Sequence, residues 1–244
     1  MFICGSHDYS DNKKLRMRHK SAAFFPISSV TRTHAEARVN YDALSRWYDL
    51  IEGGWERRPR EKALQNLAVP PKARVLEIGC GTGSSLVDLA EKAGMGGRII
   101  GVDLSVGMLR VAKNRLRKQN ISSPVFLYQA DALTLPFATA SFQALFMSFT
   151  LELFDTPEIP LILAECSRIL QPGASLSLVA TSRMGGVAWM TSLYEIFHRK
   201  FPYTVDCRPI YAARALEAAD FKILATDVDS LWGIGVEIIT ARKS

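Results

Sequence analysis

Short apolar runs alternate along the chain with segments in which apolar residues recur every three or four positions. The runs predict strands at Arg74–Ile78, Arg98–Val102, Val125–Gln129, Phe142–Met147 and Ser175–Ala180. The segments between them predict helices at Ser84–Ala93, Val106–Gln119 and Glu158–Leu170. Strands that alternate with helices are typical of an α/β fold with a parallel sheet. A ligand site is then expected at the carboxyl ends of its strands.

The regions on either side of this alternation differ from it. Residues 35–67 have a helical pattern that breaks at Gly53 and Gly54, so we expect a helical cover over residues 35–70. Residues 1–34 have no such periodicity and predict a flexible basic tail, which leaves residues 35–244 as the main domain. Trp189–Ile210 is rich in large side chains and predicts a substrate lid at about residues 185–212, with Arg208 as a candidate for holding an anionic group.

The net charge of +6 would suit a nucleic acid or an anionic membrane surface. Residues 1–34 hold six Lys and Arg against two Asp, whereas the rest holds 24 bases against 22 acids. A second basic group lies on the polar face of the predicted helix at Val106–Gln119, opposite an apolar stripe. The body of the protein is nearly neutral, so we expect no nucleic-acid partner. Weak surface attraction through the tail remains, and no apolar run is long enough to predict integral membrane association.

Cysteine usage and the tail bear on location. The four cysteines form no C-x-x-C pair and the four histidines have no metal-ligand spacing, so we expect reduced thiols and no metal. The tail lacks the apolar core of a secretory signal. Its Arg, Lys and Ser leave two interpretations, a disordered extension or an organellar transit peptide. We therefore expect a cytoplasmic protein, or one of the organellar matrix if the tail is a transit peptide.

The stretch from Glu77 to Gly83 is the most informative part of the chain. Gly79, Gly81 and Gly83 follow a predicted strand and open a predicted helix, where glycine lets the backbone bend sharply and approach a ligand. Asp103 ends the next predicted strand. A carboxylate at such a strand end can accept hydrogen bonds from both hydroxyls of a ribose. The pattern therefore predicts a nucleoside-binding site.

These residues, with three further segments, resemble the class I S-adenosylmethionine-dependent methyltransferases. The similarity is greatest to the small-molecule branch that includes the ubiquinone and menaquinone C-methyltransferases. Glu77–Gly83 is similar to the family's E-x-G-x-G-x-G motif, and Asp103–Met108 to its D-x-S-x-x-M segment. Ala130–Phe137 is similar to A-D-A…L-P-F, and Glu165–Gly173 to E-x-x-R-V-L-K-P-G-G. One departure is Gln143, where the family usually has a structural acid.

The resemblance implies a Rossmann-like, seven-stranded, mostly parallel sheet with helices on both faces. It implies S-adenosyl-L-methionine as cofactor and S-adenosyl-L-homocysteine as product. The glycine loop would wrap the methionine part, Asp103 the ribose and Asp131 the adenine amino group. The cofactor contacts it implies are Tyr41, Glu77, Gly79, Cys80, Gly81, Thr82, Gly83, Asp103, Leu104, Met108, Asp131, Ala132, Ser148 and Phe149.

A sulfonium methyl is already an activated electrophile, so the enzyme must mainly hold acceptor, methyl and sulfur in line. A base is needed only if the acceptor loses a proton. The candidate catalytic bases are Glu152, Tyr48 and His198, and each also has a non-catalytic alternative. These alternatives are a water-exposed carboxylate for Glu152, helix packing for Tyr48 and a solvent-facing helix end for His198. The lid favours a small hydrophobic or aromatic acceptor, including lipophilic ones.

Other functions are weighed against this one. Base-methylating relatives carry an [N/D]-P-P-[Y/F] loop where this chain has Ser148–Leu151, which argues against nucleic-acid methylation. The glycine spacing argues against a dinucleotide oxidoreductase. A cofactor-binding module without catalysis stays open, as do a monomer and a homodimer.

Overall fold

The computed structural model describes residues 34–44, 56–119, 121, 123–187 and 208–244. The predicted tail, apart from its last residue, lies outside the described residues. So do Tyr48, His198 and the larger part of the predicted lid. The helices are α1 (His34–Leu44), α2 (Arg57–Asn66), α3 (Ser84–Ala93), α4 (Val106–Arg117), α5 (Ile159–Ile169) and α6 (Ala212–Ala218), with a 3-10 turn at Leu151–Leu153. The strands are β1 (Arg74–Ile78), β2 (Arg98–Asp103), β3 (Val125–Gln129), β4 (Phe142–Ser148), β5 (Leu170–Ser182), β6 (Phe221–Leu231) and β7 (Ile234–Lys243).

The strands form one seven-stranded sheet in the order β3-β2-β1-β4-β5-β7-β6. The first five of these neighbours run parallel, whereas β7 is antiparallel to both β5 and β6. After β3 the chain returns to the middle of the sheet and adds β4 beside β1. Strand order reverses between β1 and β4, and open α/β sheets bind ligands at such a point, outside the carboxyl ends of the strands.

The predicted elements between residues 74 and 182 agree with the structure apart from their ends. β1, β3 and α3 have the predicted bounds, and β2 and β4 are each one residue longer at the carboxyl end. β5 begins at Leu170 instead of Ser175, across an irregular register with β4. Gln143 Oε1 accepts a hydrogen bond from Arg74 N at 2.7 Å, so this side chain ties β4 to β1 in place of the acid.

Both faces of the inner strands β1, β2 and β4 are buried, as expected for parallel strands flanked by helices, whereas the edge strands β3 and β6 are partly exposed. On β1, Leu76 and Ile78 belong to the core beneath α5 and α6, and Val75 belongs to the core beneath α2 and α3. The side chain of Glu77 therefore emerges on the α2–α3 side of the sheet. This places a buried carboxylate where β1 meets the glycine loop.

Helix α4 confirms the predicted location of the second basic group. Met108 and Ala112 are buried, and Ser105 caps the helix by accepting a hydrogen bond from Met108 N. The polar face is exposed to solvent at Arg110, Lys113, Asn114, Arg117 and Lys118. Among the described residues, no helix has the length and apolar character needed to cross a membrane.

Candidate functional site

A cleft opens at the carboxyl ends of β1, β2 and β4, at the point where the strand order reverses. It encloses about 1190 Å³, including the part open to solvent. Its lining includes almost every predicted cofactor contact: Tyr41, Glu77, Gly79, Cys80, Gly81, Thr82, Asp103, Leu104, Met108, Asp131, Ala132, Ser148 and Phe149. Segments from five parts of the sequence therefore meet at one site.

Gly83 does not line the cleft, although the resemblance implies a cofactor contact there. Its φ is +79°, and an added Cβ would lie 2.9 Å from the Cβ of Ala112. Gly83 is thus a packing position that lets α3 begin close against α4. Cofactor contact and helix packing both favour glycine at this position, so the motif cannot distinguish them.

Gly81 faces the open space of the cleft. Its φ is +50°, and an added Cβ would meet no heavy atom within 4 Å. Its N–H donates to Asp103 Oδ2 at 2.8 Å, and Ser105 N–H donates to Asp103 Oδ1 at 2.8 Å. The carboxylate at the end of β2 is therefore held rigidly by two backbone amides. A carboxyl oxygen can accept more than one hydrogen bond, so both oxygens keep the capacity to accept further donors.

Burial raises the pKa of Asp103, and the negative charge of Asp42 acts in the same direction. The hydrogen bonds from Ser105 and Gly81 favour the ionised form and oppose this shift. Ribose hydroxyls would add further donors to the ionised form.

The loop after β4 closes the cleft from the other side. An added Cβ on Gly79 would lie 2.3 Å from Thr150 Oγ1, so glycine is needed for the two loops to touch. Phe149 adopts φ +48°, a costly region for a large side chain, while its N–H donates to Val179 O at 2.8 Å. Strain of this kind is concentrated at functional sites.

Cys80 is buried within the glycine loop. Burial raises the pKa of its thiol well above the ordinary value, and the charges of Asp103 and Glu77 add to the shift. Since the thiolate is the nucleophile, Cys80 is a packing residue of the loop rather than a reactive group. Among the described residues no group of His, Cys, Asp and Glu could hold a metal ion.

The cleft is also lined by residues that are not among the predicted contacts, including Glu56, Arg60, Thr150, Phe154 and Glu158. Glu56 and Arg60 lie one turn apart at the start of α2. The spacing of Glu56 and Arg60 can be read from the sequence, but neighbouring Arg57 and Arg58 carry the same positive charge as Arg60 and are exposed. Only the packing of α2 decides which arginine faces the cleft.

Glu152 is the one candidate base that falls within the residues described by the structure, and it does not line the cleft. It is fully buried in the 3-10 turn, and its Oε1 accepts a hydrogen bond from Thr181 N at 2.8 Å. The alternative of a water-exposed carboxylate is excluded as well. Arg208 is also fully buried and donates to Phe154 O and, at 2.9 Å, to Thr156 Oγ1. Burial lowers the pKa of Arg208, while Asp155, Glu152 and Glu158 oppose that shift.

The sheet order, the cleft at the reversal point and a clamped carboxylate beside a glycine loop define a class I S-adenosylmethionine-dependent methyltransferase. The residues present fit that cofactor, because the loop at Gly81 leaves open space and Asp103 can accept ribose hydroxyls.

Comparison with known proteins identifies the family to which the chain belongs. A family model described as a methyltransferase domain matches residues 75–173. A demethylmenaquinone methyltransferase of Bacillus velezensis is 31% identical over 164 residues, which cover 67% of this chain and 68% of that protein. The chain belongs to this family of S-adenosylmethionine-dependent methyltransferases.

Two further matches give the extent of the likeness. A demethylmenaquinone methyltransferase of Lactobacillus johnsonii is 31% identical over 159 residues, so the match covers 65% of this chain and 63% of that relative. The chain thus spans less than two thirds of that protein's length. A solved methyltransferase from Methanosarcina mazei superposes with a TM-score of 0.61 at 23% identity, over 74% of this chain and 96% of that one. It confirms the fold.

Proposed function

We propose that this protein transfers a methyl group from S-adenosylmethionine to a small lipophilic ring acceptor of the quinol type. The observation that carries the proposal is the cleft itself, in which an acidic strand end, a glycine loop and an apolar loop after β4 face one another. The quinone-methylating relatives support the class of acceptor.

Within the proposal the adenosine lies against the ends of β2 and β3. Asp103 accepts the ribose hydroxyls, and Leu104, Met108 and Ala132 supply apolar surface for the adenine. Asp131 is positioned by a hydrogen bond from Leu133 N to its Oδ1 at 2.9 Å, and it accepts from the adenine amino group.

The methionine end lies towards Glu77, Glu56 and Arg60, which line the opposite part of the cleft. Two carboxylates and a guanidinium complement the ammonium and carboxylate of an amino acid. Glu77 and Glu56 are buried, so an attraction between either carboxylate and a bound ammonium would be screened less than in water. This orientation places the cofactor's sulfur near the loop after β4.

The acceptor lies beyond the sulfur, against Phe149, Leu153 and Phe154. When bound, the cofactor would supply an activated methyl group to the acceptor, and the electron pair of the methyl–sulfur bond would stay on sulfur. The chain's own contribution is to orient the two molecules and exclude water, an effect that reaches on the order of 7–11 kcal/mol in well-aligned systems.

A quinol acceptor also has to lose a proton. Glu158 lines the cleft, and its Oε2 accepts a hydrogen bond from Asp155 N at 3.0 Å. We therefore assign the role of proton acceptor to Glu158 in the described part of the chain, with Tyr48 and His198 as candidates outside it. Glu152 is buried outside the cleft with its Oε1 on Thr181 N, so we assign it no part in proton transfer.

The test uses methyl-labelled S-adenosylmethionine with a 2-prenyl-1,4-naphthoquinol, its oxidised quinone and a transfer RNA mixture as acceptors. We expect label in the quinol alone, and a Glu158→Gln variant that is slowed while its affinity for S-adenosylhomocysteine is unchanged. Glu217→Gln, an exposed carboxylate on α6, is the matched control. Label in RNA, or binding without transfer to any quinol, would overturn the proposal.

A further inference from the structure

Asp42, on helix α1, makes a contact that the proposed reaction does not use. Its Oδ1 accepts a hydrogen bond from the Ser105 hydroxyl at 2.5 Å and another from Gly107 N at 2.7 Å. Both donors belong to the start of α4, 63 and 65 residues further along the chain. A carboxylate at this end of a helix satisfies unpaired N–H groups and interacts favourably with the helix dipole.

The contact adjoins the carboxylate proposed to bind the ribose. Ser105 donates its hydroxyl to Asp42 and its backbone N–H to Asp103 Oδ1, and its hydroxyl accepts from Met108 N at 3.1 Å. Asp103 in turn accepts from Gly81 N. One series of hydrogen bonds therefore runs from α1 through Ser105 and Asp103 to the glycine loop.

Asp42 is held in its ionised form. Burial alone would raise its pKa, but the hydrogen bonds from Ser105 and Gly107, with the charges of Arg38 and Arg110, lower it overall. Within the described part of the chain α1 packs on α4, and Tyr41, the residue before Asp42, lines the cleft. Docking of Asp42 therefore fixes the position of Tyr41.

We propose that Asp42 is a positioning residue that docks α1 on the first turn of α4, holds Tyr41 over the adenosine end of the cleft and so slows release of the cofactor. The proposal rests on the cofactor site alone. It is independent of the acceptor, since binding is measured with S-adenosylhomocysteine and no methyl transfer is followed.

The experiment is a stopped-flow measurement of S-adenosylhomocysteine release from the full chain and three variants. Asp42→Ala removes both hydrogen bonds and should speed release on the order of ten-fold, with little change in the association rate. Asp42→Asn keeps an Oδ1 that can accept both bonds, so its release rate should stay within about three-fold of wild type. Val39→Ala changes a residue of α1 that is 63% exposed and should leave the rate unchanged.

Two results would overturn the proposal. One is a folded Asp42→Ala protein that releases the ligand at the wild-type rate, and the other is an Asp42→Asn protein that releases it as fast as Asp42→Ala. Hydrogen exchange on the wild-type protein keeps the test independent of folding. The ligand should slow amide exchange in residues 34–44, and unchanged exchange there would contradict the docking role.

Discussion

The two halves of the cleft are built in different ways. The proposed cofactor half is lined by residues of Glu77–Thr82, Asp103–Met108 and Ala130–Ala132, at and just after the carboxyl ends of β1, β2 and β3. The proposed acceptor half is lined by Phe149, Leu153, Phe154 and Glu158. Glu152 and Arg208 are buried behind it, and Arg208 reaches the loop after β4 from near the end of the predicted lid. Backbone amides shape the first half, whereas buried side chains from distant segments shape the second. Variants in the cofactor half should weaken cofactor binding, whereas variants behind the acceptor half should change stability and leave that binding unchanged.

The largest effect is expected at Asp103. Its replacement by Ala removes two hydrogen-bond acceptors for the ribose, each worth about 1.5–3 kcal/mol, so affinity for S-adenosylhomocysteine should fall by at least about 100-fold. Titration calorimetry measures this, with Asp229→Ala on the exposed face of β6 as the control. Wild-type affinity in Asp103→Ala would remove this carboxylate from the site.

Arg208 and Glu152 form a buried charged cluster behind the acceptor half, and Arg208→Met removes its positive charge. Glu152 then loses a nearby positive charge within the core, and the free energy of unfolding should fall by about 3–5 kcal/mol. Urea unfolding measures the loss, and affinity for S-adenosylhomocysteine in the folded fraction should stay unchanged.

Glu152→Gln is the matched change in the same cluster. It keeps an acceptor for Thr181 N and should cost less stability than Arg208→Met. Because the two residues act in one cluster, the double variant should be less destabilised than the sum of the singles. Full additivity would show that the two side chains act independently.

Gly81 and Gly173 offer a matched pair for the backbone of the cofactor half. Both have positive φ, +50° and +75°, and an added Cβ at either meets no heavy atom within 4 Å. Valine at each should therefore cost a similar 1–3 kcal/mol of backbone strain, read as a similar loss in Tm. Only Gly81→Val should also weaken S-adenosylhomocysteine binding, by about ten-fold or more. Equal binding by the two variants would mean that the loop does not face the ligand.

The smallest effect is expected at Glu165, which resembles a family motif but lies away from the cleft. Hydrogen bonding to Arg168 lowers the pKa of Glu165 below its ordinary value of 4.5, despite partial burial. Its contribution to stability is therefore present above that pH and is lost as pH falls through the lowered pKa.

Glu165→Gln should accordingly cost about 1 kcal/mol at pH 7 and less near pH 3. Urea unfolding at the two pH values tests this. A cost that stays constant between them would contradict the assignment. Cofactor affinity should be unchanged, since Glu165 does not line the cleft. Its Oε2 accepts a hydrogen bond from Leu135 N at 3.0 Å, and Leu135 does not line the cleft either.

The sequence predicts which residues meet at the proposed cofactor half of the cleft because the turn and the strand end require particular residues at particular backbone positions. Positive φ at Gly79 and Gly81 and a carboxylate at a strand end leave few alternatives. At Gly83 close packing on Ala112 also requires glycine, so the motif alone does not show a cofactor contact there. The bounds of β6 and β7 were not predicted, and β6 lies at the edge of the sheet with most of its residues exposed.

The acceptor half could not be predicted from local pattern. Glu152 was interpreted as a base or an exposed carboxylate, yet its side chain is buried against Thr181, 29 residues away. On the cofactor side, Asp42 and Arg60 are also placed by contacts between elements rather than by neighbours in sequence. A contact across the fold leaves no periodicity for a single sequence to show.

A crystal structure of the complex with S-adenosylhomocysteine tests the central claim most directly. We expect ribose hydroxyls on Asp103, adenine beside Met108, and the amino acid end directed towards Glu77 and Arg60. We also expect that the sulfur faces Phe149. A ligand bound elsewhere, or one whose sulfur points away from the loop after β4, would contradict the division of the cleft into cofactor and acceptor halves.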